Sequence, residues 1–357
     1  MAAIQRVVVA MSGGVDSSVA AALLKAQGFD VVGVMLRLWS EPGTEESNRC
    51  CSPESMSMAR HVAAVLDIPF HVIDAKAAFQ RSVVQGFLEG YGGGATPNPC
   101  LQCNKEVRWS FLLEHALALG ADFMATGHYA RLERDESGAV KLLRAVDTSK
   151  DQSYVLHALD QSQLRRTLLP IGEHSKADVR RLAEHYSLPT ASRRESQDLC
   201  FLAGGDYRDF LRRLRPELFV AGNIVTMSGE VLGEHGGLVN YTIGQRKGLG
   251  VSSSVPLYVL RKDVASSNLI VGLEKELGQR ELRASDVRWL SGQPKAEPFR
   301  AHVKTRYTAR EAPAEVLPLE GGRCVRVVFD TPQRDITRGQ AAVFYEGDIV
   351  VGGGLID

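Results

Sequence analysis

Residues 7–18 read VVVAMSGGVDSS, and this stretch decides the fold of the chain. The run VVVA at residues 7–10 is typical of a strand that is buried on both faces of a parallel sheet. Residues 17–25 are rich in Ala and Leu and predict a helix. Two adjacent glycines lie in the loop between them. A buried strand, a glycine loop and a helix in this order predict the start of an α/β domain.

The same alternation continues through the first half of the chain. Further strands are expected at residues 31–38, 70–73 and 123–126, and helices at residues 53–66 and 107–119. We therefore predict an open parallel sheet with helices on both faces.

The rest of the chain changes character twice. Residues 159–215 are helical and rich in Arg, and Ser175 is a good N-cap for one of these helices. Glycine becomes frequent after residue 216, and short runs from residue 282 onward, separated by Gly or Pro turns, predict a small β-barrel. The expected domains are residues 1–205, catalytic with an Arg-rich helical extension, residues 206–275, a small β-rich central domain, and residues 276–357, a C-terminal β-barrel.

Composition excludes several classes of protein. The chain has 357 residues with 42 basic and 42 acidic side chains, so it does not coat nucleic acid by bulk charge. No apolar run approaches the roughly 18 residues of a membrane span, so no membrane segment is expected. The N-terminus lacks the pattern of a signal peptide. We therefore expect a cytoplasmic protein whose six cysteines are reduced.

The loop at residues 12–18 has the chemistry of an anion site. Gly13 and Gly14 allow close backbone approach, and the following helix offers N–H groups and a positive dipole end. Ser12, Ser17 and Ser18 add hydroxyl donors, while Asp16 is suited to orient Mg²⁺ or a water. The loop is neither a Walker loop nor a dinucleotide fingerprint. It resembles the pyrophosphatase loop of synthetases that cleave ATP to AMP and pyrophosphate, and the alternative is a turn that binds nothing.

The cysteines divide into four groups. Cys100 and Cys103 lie in a Pro-rich loop before a helix, where the helix dipole favours a reactive thiolate. Cys200 follows 97 residues after Cys103. Cys324 is expected to be a small buried apolar residue. The vicinal pair at residues 50 and 51, Cys50-Cys51, is a poor structural disulfide, and a role in sulfur or metal handling stays open for it.

A set of spaced motifs carries a family resemblance. The chain contains SGGVDSS at 12–18, TPNP at 96–99, CNKE at 103–106, ATGHY at 125–129, KDQSY at 150–154, LCF at 199–201, GQRKGLG at 244–250 and GQAAVFY at 339–345. In this order they resemble the bacterial tRNA-specific 2-thiouridylase family over nearly the whole chain. The resemblance implies a sheet of the adenine-nucleotide α-hydrolase-like type.

The resemblance also implies a reaction. The family replaces O2 of the wobble uridine of the Lys, Glu and Gln tRNAs with sulfur, after ATP adenylates that oxygen and pyrophosphate leaves. By resemblance, Cys200 carries the persulfide and Cys103 is the nucleophile or partner thiol, with a transient Cys103–Cys200 disulfide. The sulfur then comes from a cysteine desulfurase or a sulfur-relay protein.

The same resemblance assigns binding residues. The expected ATP site, with Mg²⁺, consists of Ala10, Met11, Ser12, Gly13, Gly14, Val15, Asp16, Ser17, Leu36 and Gly127. The expected contacts with the target base and tRNA are Asn98, Pro99, Cys100, His128, Lys150, Asp151, Gln152, Arg306, Tyr307 and Gln340. We expect the missing side chain of Gly127 to leave room for the nucleotide.

One position departs from a well-known form of the family, in which Asp replaces Cys100. Cys100, Cys103 and Cys200 would together supply three thiolates, one fewer than a four-iron four-sulfur (4Fe–4S) cluster usually has. An iron–sulfur route therefore stays open beside the persulfide route, and Zn²⁺ is a third option. The competing functions are a ligase that adenylates a small molecule and a nucleotide sensor without chemistry.

Overall fold

The structure is a computed structural model that describes residues 4–44, 52–193, 199–202, 204–334 and 336–357. The vicinal pair Cys50 and Cys51 lies outside the described residues. Within the described ranges, no helix is long and apolar enough to cross a membrane.

The N-terminal half forms a five-stranded parallel sheet. Its strands are β1 (Arg6–Ala10), β2 (Asp30–Arg37), β3 (Phe70–Asp74), β4 (Phe123–Thr126) and β7 (Thr167–Leu168), in the order β3-β2-β1-β4-β7. All four neighbouring pairs are parallel. The predicted open parallel sheet is therefore confirmed, and β7 is a short edge strand that the sequence pattern did not predict.

Both faces of this sheet are covered by apolar packing. Val7 and Val9 of β1 belong to a core shared with the helices Val15–Ala26 and Lys176–His185. Val8 points to the opposite face and packs in a core that contains Trp109. The alternation arises because successive side chains of a strand point to opposite faces. Helices on both faces explain why β1 reads as an unbroken apolar run.

The helices begin where their capping residues predict. Ser175 caps Lys176–His185 in a capping box with Asp178, which confirms the predicted N-cap. The helices are Val15–Ala26, Pro53–Val65, Lys76–Phe79, Gln85–Gly92, Pro99–Gln102, Leu113–Ala118, Gln161–Arg165, Lys176–His185 and Tyr207–Leu214. Two π-helical segments, Gln80–Val84 and Cys103–Leu112, join neighbouring helices into longer ones. A π-helical stretch often marks a functional site.

The central domain is a small β-sheet. Its strands β8 (Gly222–Thr226), β9 (Val231–His235), β10 (Tyr258–Asp263) and β11 (Asn268–Gly272) follow the order β10-β11-β8-β9. Only the β11–β8 pair of this sheet is parallel. Ile224, Val259 and Leu269 are fully buried between these strands.

The C-terminal strands close into an antiparallel barrel, as predicted. They are β12 (Gln279–Trp289), β13 (Phe299–Lys304), β14 (Ala312–Leu319), β15 (Cys324–Gln333), β16 (Ala341–Glu346) and β17 (Ile349–Ile356). Pairing of β12 with β17 closes the ring and removes the open edges.

A hairpin from the catalytic half attaches to this barrel. Strands β5 (Ala130–Arg134) and β6 (Val140–Arg144) pair with each other, and β6 pairs with β17 through Leu143 and Ile349. The guanidinium of Arg144 lies 3.7 Å from the centre of the Tyr345 ring. The two halves of the chain are thus joined by a strand pair and a cation–π contact.

His157 is buried where the barrel meets the catalytic half. Its Nδ1 lies 2.8 Å from the carbonyl oxygen of Tyr154. A Cβ on Gly353 would lie only 2.6 Å from the His157 ring, so the barrel strand packs directly on the imidazole. Burial lowers the pKa of His157 to about 4.

This burial makes stability depend on pH. The unfolded chain protonates His157 near pH 6.5, whereas the folded chain does so only near pH 4, so unfolding takes up a proton between these values. The stabilising effect of the neutral ring is complete above pH 6.5 and is lost as the pH falls toward 4. We expect denaturant titrations to show a slope of about 1.4 kcal/mol per pH unit from this group. His157→Gln should lose that share of the slope, and the exposed His61→Gln is the control. An unchanged slope in His157→Gln would contradict the assignment.

Candidate active site

A cavity of 190 Å³ opens at the carboxyl ends of β1, β2 and β4. This is where ligands bind in open α/β sheets. It brings together seven of the ten residues predicted for ATP: Ala10, Met11, Ser12, Asp16, Ser17, Leu36 and Gly127. Gly13, Gly14 and Val15 do not line it. Three further predicted residues, Cys103, His128 and Gln152, do line it.

The loop at residues 12–18 is held by its own hydroxyl groups. The Ser17 and Ser18 hydroxyls donate to the carbonyl oxygen of Gly14 at 3.1 and 2.8 Å. Gly13 has a φ of +72°, and a Cβ there would lie 2.4 Å from the carbonyl oxygen of Ser55. Only glycine fits this position without displacing the backbone. Arg193 donates to the Gly13 carbonyl at 2.7 Å from outside the loop.

Gly127 lines the cavity as expected, but its missing side chain serves a different purpose from the one predicted. A Cβ at this residue would lie 2.7 Å from the backbone carbon of Asp16 and from the nitrogen of Ser17. The space beside its Cα is therefore filled by the loop backbone, and the prediction that it leaves room for a ligand is corrected in this respect. The missing side chain lets the end of β4 approach the loop.

The Asp16 carboxylate is held by two hydrogen-bond donors from other segments of the chain. Its carboxylate accepts a hydrogen bond from the Tyr129 hydroxyl at 2.8 Å and from Lys176 Nζ at 2.7 and 2.9 Å. Asp16 is the one carboxylate among the described residues that line the cavity. Mg²⁺ commonly binds one or two carboxylates together with substrate phosphates, so Asp16 is the residue that would hold it. The motif predicted Asp16, whereas nothing local to the loop indicated Lys176.

His128 is neutral because of its neighbours. Arg108 Nη1 lies 2.9 Å from His128 Nε2 and 2.9 Å from Asn104 Oδ1, and the Thr126 hydroxyl lies 2.8 Å from His128 Nδ1. A guanidinium only donates, so Nε2 must accept and the proton resides on Nδ1. Burial, followed by the charge of Arg108, holds the pKa of His128 well below its usual value. His128 therefore faces the cavity as a neutral group, and Arg108 is a site residue that the sequence did not reveal.

The three candidate thiols occupy different places. Cys103 is half-buried and lines the cavity, while Cys100 is exposed. Cys200 begins a short turn, Cys200–Leu202, that is anchored by Phe201 against the Phe87 and Phe210 rings at 5.3 and 5.4 Å. Cys103 and Cys200 both pack on the apolar cluster around Phe87.

The expected iron–sulfur ligands are not assembled as a metal site. Among the residues that the structure describes, no group of three or more His, Cys, Asp or Glu side chains is placed to hold a metal ion. Cys100, Cys103 and Cys200 therefore do not fit a cluster in this conformation. The buried Cys324 lies in the barrel, as expected for a small apolar residue.

The segment before Cys100 is held from two other domains. Gln340 Nε2 donates to the carbonyl of Thr96 at 2.7 Å, and Thr96 N donates to the carbonyl of Arg338 at 2.8 Å. Lys262 of the central sheet lies 3.5 Å from the Ala95 carbonyl, and burial lowers the pKa of Lys262 to about 8. Gln340, an expected tRNA contact, thus serves here as an interdomain contact.

Asn98 fixes the start of the following helix. Its side-chain oxygen accepts from the backbone N–H of Cys100 at 3.0 Å, and the buried Pro99 occupies the first turn. This geometry is a normal N-cap with a proline at the first helical position. It leaves Cys100 exposed at the helix N-terminus.

Asp151 is not available for the tRNA contact predicted for it. It is buried, and its carboxylate accepts from the N–H groups of Ala145 and Ser153 at 3.0 and 3.2 Å. A buried carboxylate with several donors organises a turn. Gln152 lies beside it and accepts from the Tyr129 N–H at 3.0 Å. Lys150 is half-buried at the start of this segment.

Arg306 and Tyr307 lie where the barrel meets the central domain. The Arg306 guanidinium donates to the carbonyl of Ile243 at 3.3 Å and to the Thr337 hydroxyl. Tyr307 is partly exposed, and its ring lies 6.2 Å from that of Tyr154. Burial raises the pKa of Tyr307, with contributions from the charges of Asp151 and Cys100. Tyr307 and the helix Pro99–Gln102, which carries the exposed Cys100, both lie against the turn Ser153–Leu156.

The contact at Gly127 generates a stability prediction. Gly127→Ala should destabilise the protein by about 1–3 kcal/mol, because its Cβ must displace the loop backbone. Gly86→Ala is the matched control, since no atom lies within 4 Å of a Cβ built there. This helical substitution should stabilise by about 0.5–1 kcal/mol. Chemical denaturation measures the free energy of unfolding of both variants. Equal values for the two variants would contradict the prediction, because they would show that the loop backbone moves aside without destabilising the protein.

Family models and curated relatives match this chain over nearly its whole length. Family models match residues 5–204 as a tRNA methyl transferase HUP domain, 208–273 as a tRNA methyl transferase PRC-barrel domain and 279–356 as an aminomethyltransferase beta-barrel domain. The tRNA-specific 2-thiouridylase MnmA of Chloroflexus aggregans is 48% identical over 352 residues, covering 98% of both chains. That of Magnetococcus marinus is 46% identical over 354 residues, covering 99% of both. A 4-thiouridine synthetase solved with RNA and bound ATP aligns with 60% of this chain and 51% of its own, at a TM-score of 0.35 and 18% identity. The identity and coverage of the curated relatives show that this chain belongs to the tRNA-specific 2-thiouridylase family.

Proposed function

We propose that this protein catalyses ATP-dependent 2-thiolation of the wobble uridine in the Lys, Glu and Gln tRNAs. The observation that carries the proposal is the cavity that the loop at residues 12–18 shares with the thiol of Cys103. A small-molecule ligase has no use for a thiol at its nucleotide loop. Family membership gives the same substrate class, because the curated relatives are named as tRNA-specific 2-thiouridylases.

The first step is adenylation. The phosphates of ATP lie against the backbone of the loop and the N-terminus of the helix Val15–Ala26, and the adenine lies toward Leu36 of β2. The uridine O2 attacks the α-phosphorus, the N3 proton is lost to solvent, and pyrophosphate leaves. Asp16 would hold Mg²⁺, which when bound neutralises the charge of the departing pyrophosphate.

The second step transfers sulfur. The terminal sulfur of a Cys200 persulfide attacks C2, and the C2–O2 bond breaks as AMP leaves with the oxygen. The Cys103 thiolate then attacks the Cys200 sulfur, which forms the transient Cys103–Cys200 disulfide and releases the thiolated uridine. A separate reductant restores both thiols, and a cysteine desulfurase or sulfur-relay protein supplies the next persulfide.

The arrangement of the thiols favours the persulfide route over the 4Fe–4S route. The persulfide route requires only that Cys103 and Cys200 meet, and both pack on one apolar cluster. The cluster route requires Cys100 to join them, and Cys100 is exposed, whereas Cys200 is half-buried; neither of these two lines the cavity.

We further propose that the RNA enters over the surface that carries Cys100 and Tyr307. Tyr307 exposes 38% of its surface, and Lys304 Nζ lies 5.7 Å from the centre of its ring. A partly exposed aromatic ring beside a cation is suited to stack on a base that is turned out of its helix. His128 and Gln152 both line the cavity, so they contact the base only after it has entered that space. The proposed place of action is the cytoplasm.

Pyrophosphate release tests the function. Release from ATP should depend on unmodified tRNA, and Asp16→Asn should reduce it about 100-fold or more, because the variant lacks the carboxylate that would hold Mg²⁺ beside the departing pyrophosphate. The exposed Glu136→Gln is the control and should behave like the wild type. Release without tRNA would favour a small-molecule ligase, and ATP binding without any release would favour a nucleotide sensor.

Three Ser variants distinguish the roles of the three thiols. Cys100→Ser should remain substantially active in single-turnover thiolation, whereas Cys103→Ser and Cys200→Ser should fall to background, because only the last two remove a sulfur that the persulfide route uses. Cys324→Ser in the barrel is the control. Iron is quantified after anaerobic purification. Joint loss of iron and activity in Cys100→Ser would overturn the persulfide assignment and establish the cluster.

A further inference from the structure

The π-helical winding of Cys103–Leu112 brings Arg108 toward the face of the helix that carries Cys103. Within Cys103–Leu112, four residues line the cavity: Cys103, Val107, Arg108 and Leu112. In an α-helix, residues five positions apart point in directions about 140° apart. The i→i+5 bonding of a π-helix brings such residues toward one face. Cys103 and Arg108 thus reach the same space because the segment is π-helical.

Arg108 lines the same cavity as Ser12, Asp16 and Ser17 of the loop at residues 12–18. Its guanidinium contacts His128 Nε2 at 2.9 Å. His128 directly follows Gly127, whose Cα side is in contact with the backbone of Asp16 and Ser17. This short series of contacts connects Arg108 to the N-terminus of the helix Val15–Ala26. Arg108 and the loop therefore form two walls of one narrow cavity.

Arg108 carries the one permanent positive charge among the described residues that line this cavity. Two other cations contact the loop, but neither of them lines the cavity. Lys176 is paired with Asp16, and Arg193 donates to the Gly13 carbonyl and to Ser55. A planar guanidinium is well suited to bind a phosphoryl group through two parallel hydrogen bonds.

The orientation of Arg108 is fixed by two acceptors. Asn104 Oδ1 and His128 Nε2 both accept from Nη1 at 2.9 Å. Asn104 is itself anchored, because its amide donates to the carbonyl of Val155 at 3.1 Å. Protonated His128 would repel the guanidinium, so the neutral ring is a requirement of this arrangement. The burial of His128 maintains that state.

We propose that Arg108 is a catalytic residue that binds the α-phosphoryl group of ATP during its transfer to the uridine oxygen, and that neutral His128 is its positioning residue. The inference rests on the proposed function. In the step concerned, O2 forms a bond to the α-phosphorus, the bond from that phosphorus to the bridging oxygen breaks, and pyrophosphate leaves with the electron pair. The N3 proton passes to solvent. Arg108 neutralises the charge on the non-bridging oxygens of the transferred group, which AMP retains when it leaves.

Comparing AMP with adenosine tests this directly, because the two ligands differ by the phosphoryl group alone. Wild-type calorimetry should show tighter binding of AMP. Arg108→Gln should raise the Kd for AMP about 10–100-fold, because a charge-assisted contact is lost, and should leave the Kd for adenosine within about twofold. It should also lower tRNA-dependent pyrophosphate release about 100–1,000-fold. Arg60 is exposed, so Arg60→Gln is the matched control and should change the Kd for neither AMP nor adenosine.

The positioning role of His128 has its own pair of variants. His128→Leu removes the acceptor and should weaken AMP binding without changing adenosine binding. His128→Gln offers an amide oxygen near the position of Nε2 and should recover most of the lost AMP affinity. If Arg108→Gln fails to fold, Arg108→Lys and this pair still test the proposal, because Lys keeps the charge but loses the planar fork.

The outcomes separate this inference from the proposed function. Suppose that the wild type releases pyrophosphate with tRNA and that Arg108→Gln still prefers AMP over adenosine. This result would overturn the role of Arg108 and leave the proposed function unchanged. A wild type that binds AMP no better than adenosine would overturn the phosphoryl site. A wild type with the AMP preference but without pyrophosphate release would support the phosphoryl site and contradict the proposed function. Equal losses of AMP and adenosine binding would show that Arg108 is structural and would overturn the proposal.

Discussion

The close approach of Gly127 to the backbone of Asp16 and Ser17 is the constraint on which the site depends. Strands β1 and β4 are parallel neighbours, with Ala10 opposite Thr126, so the segments after them leave the sheet side by side. The absence of a Cβ at Gly127 lets these segments touch. Tyr129 then reaches Asp16, and His128 turns toward Arg108. One backbone contact therefore sets the positions of an acid, a neutral imidazole and a cation around a single cavity.

The barrel contributes to the site without lining the cavity. It holds the segment before Cys100 through the contacts of Arg338 and Gln340 with Thr96. A Cβ on Gly339 would lie 3.0 Å from Ala95, so the two segments pack closely. The β6–β17 pair joins the same two parts of the chain elsewhere. The barrel and the sheet thus hold the Pro-rich loop from two sides. Residues 338–340 therefore help to position Cys100 although they are far from it in the sequence.

The sequence predicted what local patterns determine. The apolar run of β1, the strand Phe123–Thr126 and the N-cap at Ser175 were all recognisable, because periodicity and capping act over a few residues. The attachment of the β5–β6 hairpin to β17 was missed, since Leu143 and Ile349 lie about two hundred residues apart in the sequence. Arg108 was missed because its role depends on a π-helical register and on a buried neutral histidine, neither of which short-range spacing shows. The burial of Asp151 was likewise a property of packing and not of the KDQSY motif.

The neutral net charge of the chain agrees with the proposed binding of a polyanion once the surface ion pairs are considered. Many arginines of the helical region have acidic partners within a few residues, such as Arg212 with Asp209 at 3.7 Å and Arg208 with Asp206 at 3.1 Å. Arg181 and Asp178 form another such pair. Exposed pairs of this kind contribute only about 0–1 kcal/mol each. A phosphate can therefore replace the carboxylate at little cost, and release of counterions from the RNA adds a favourable, salt-dependent contribution. The proposed binding of RNA therefore does not require unpaired cations in the unbound protein, because weak ion pairs of this kind can be exchanged for phosphate contacts.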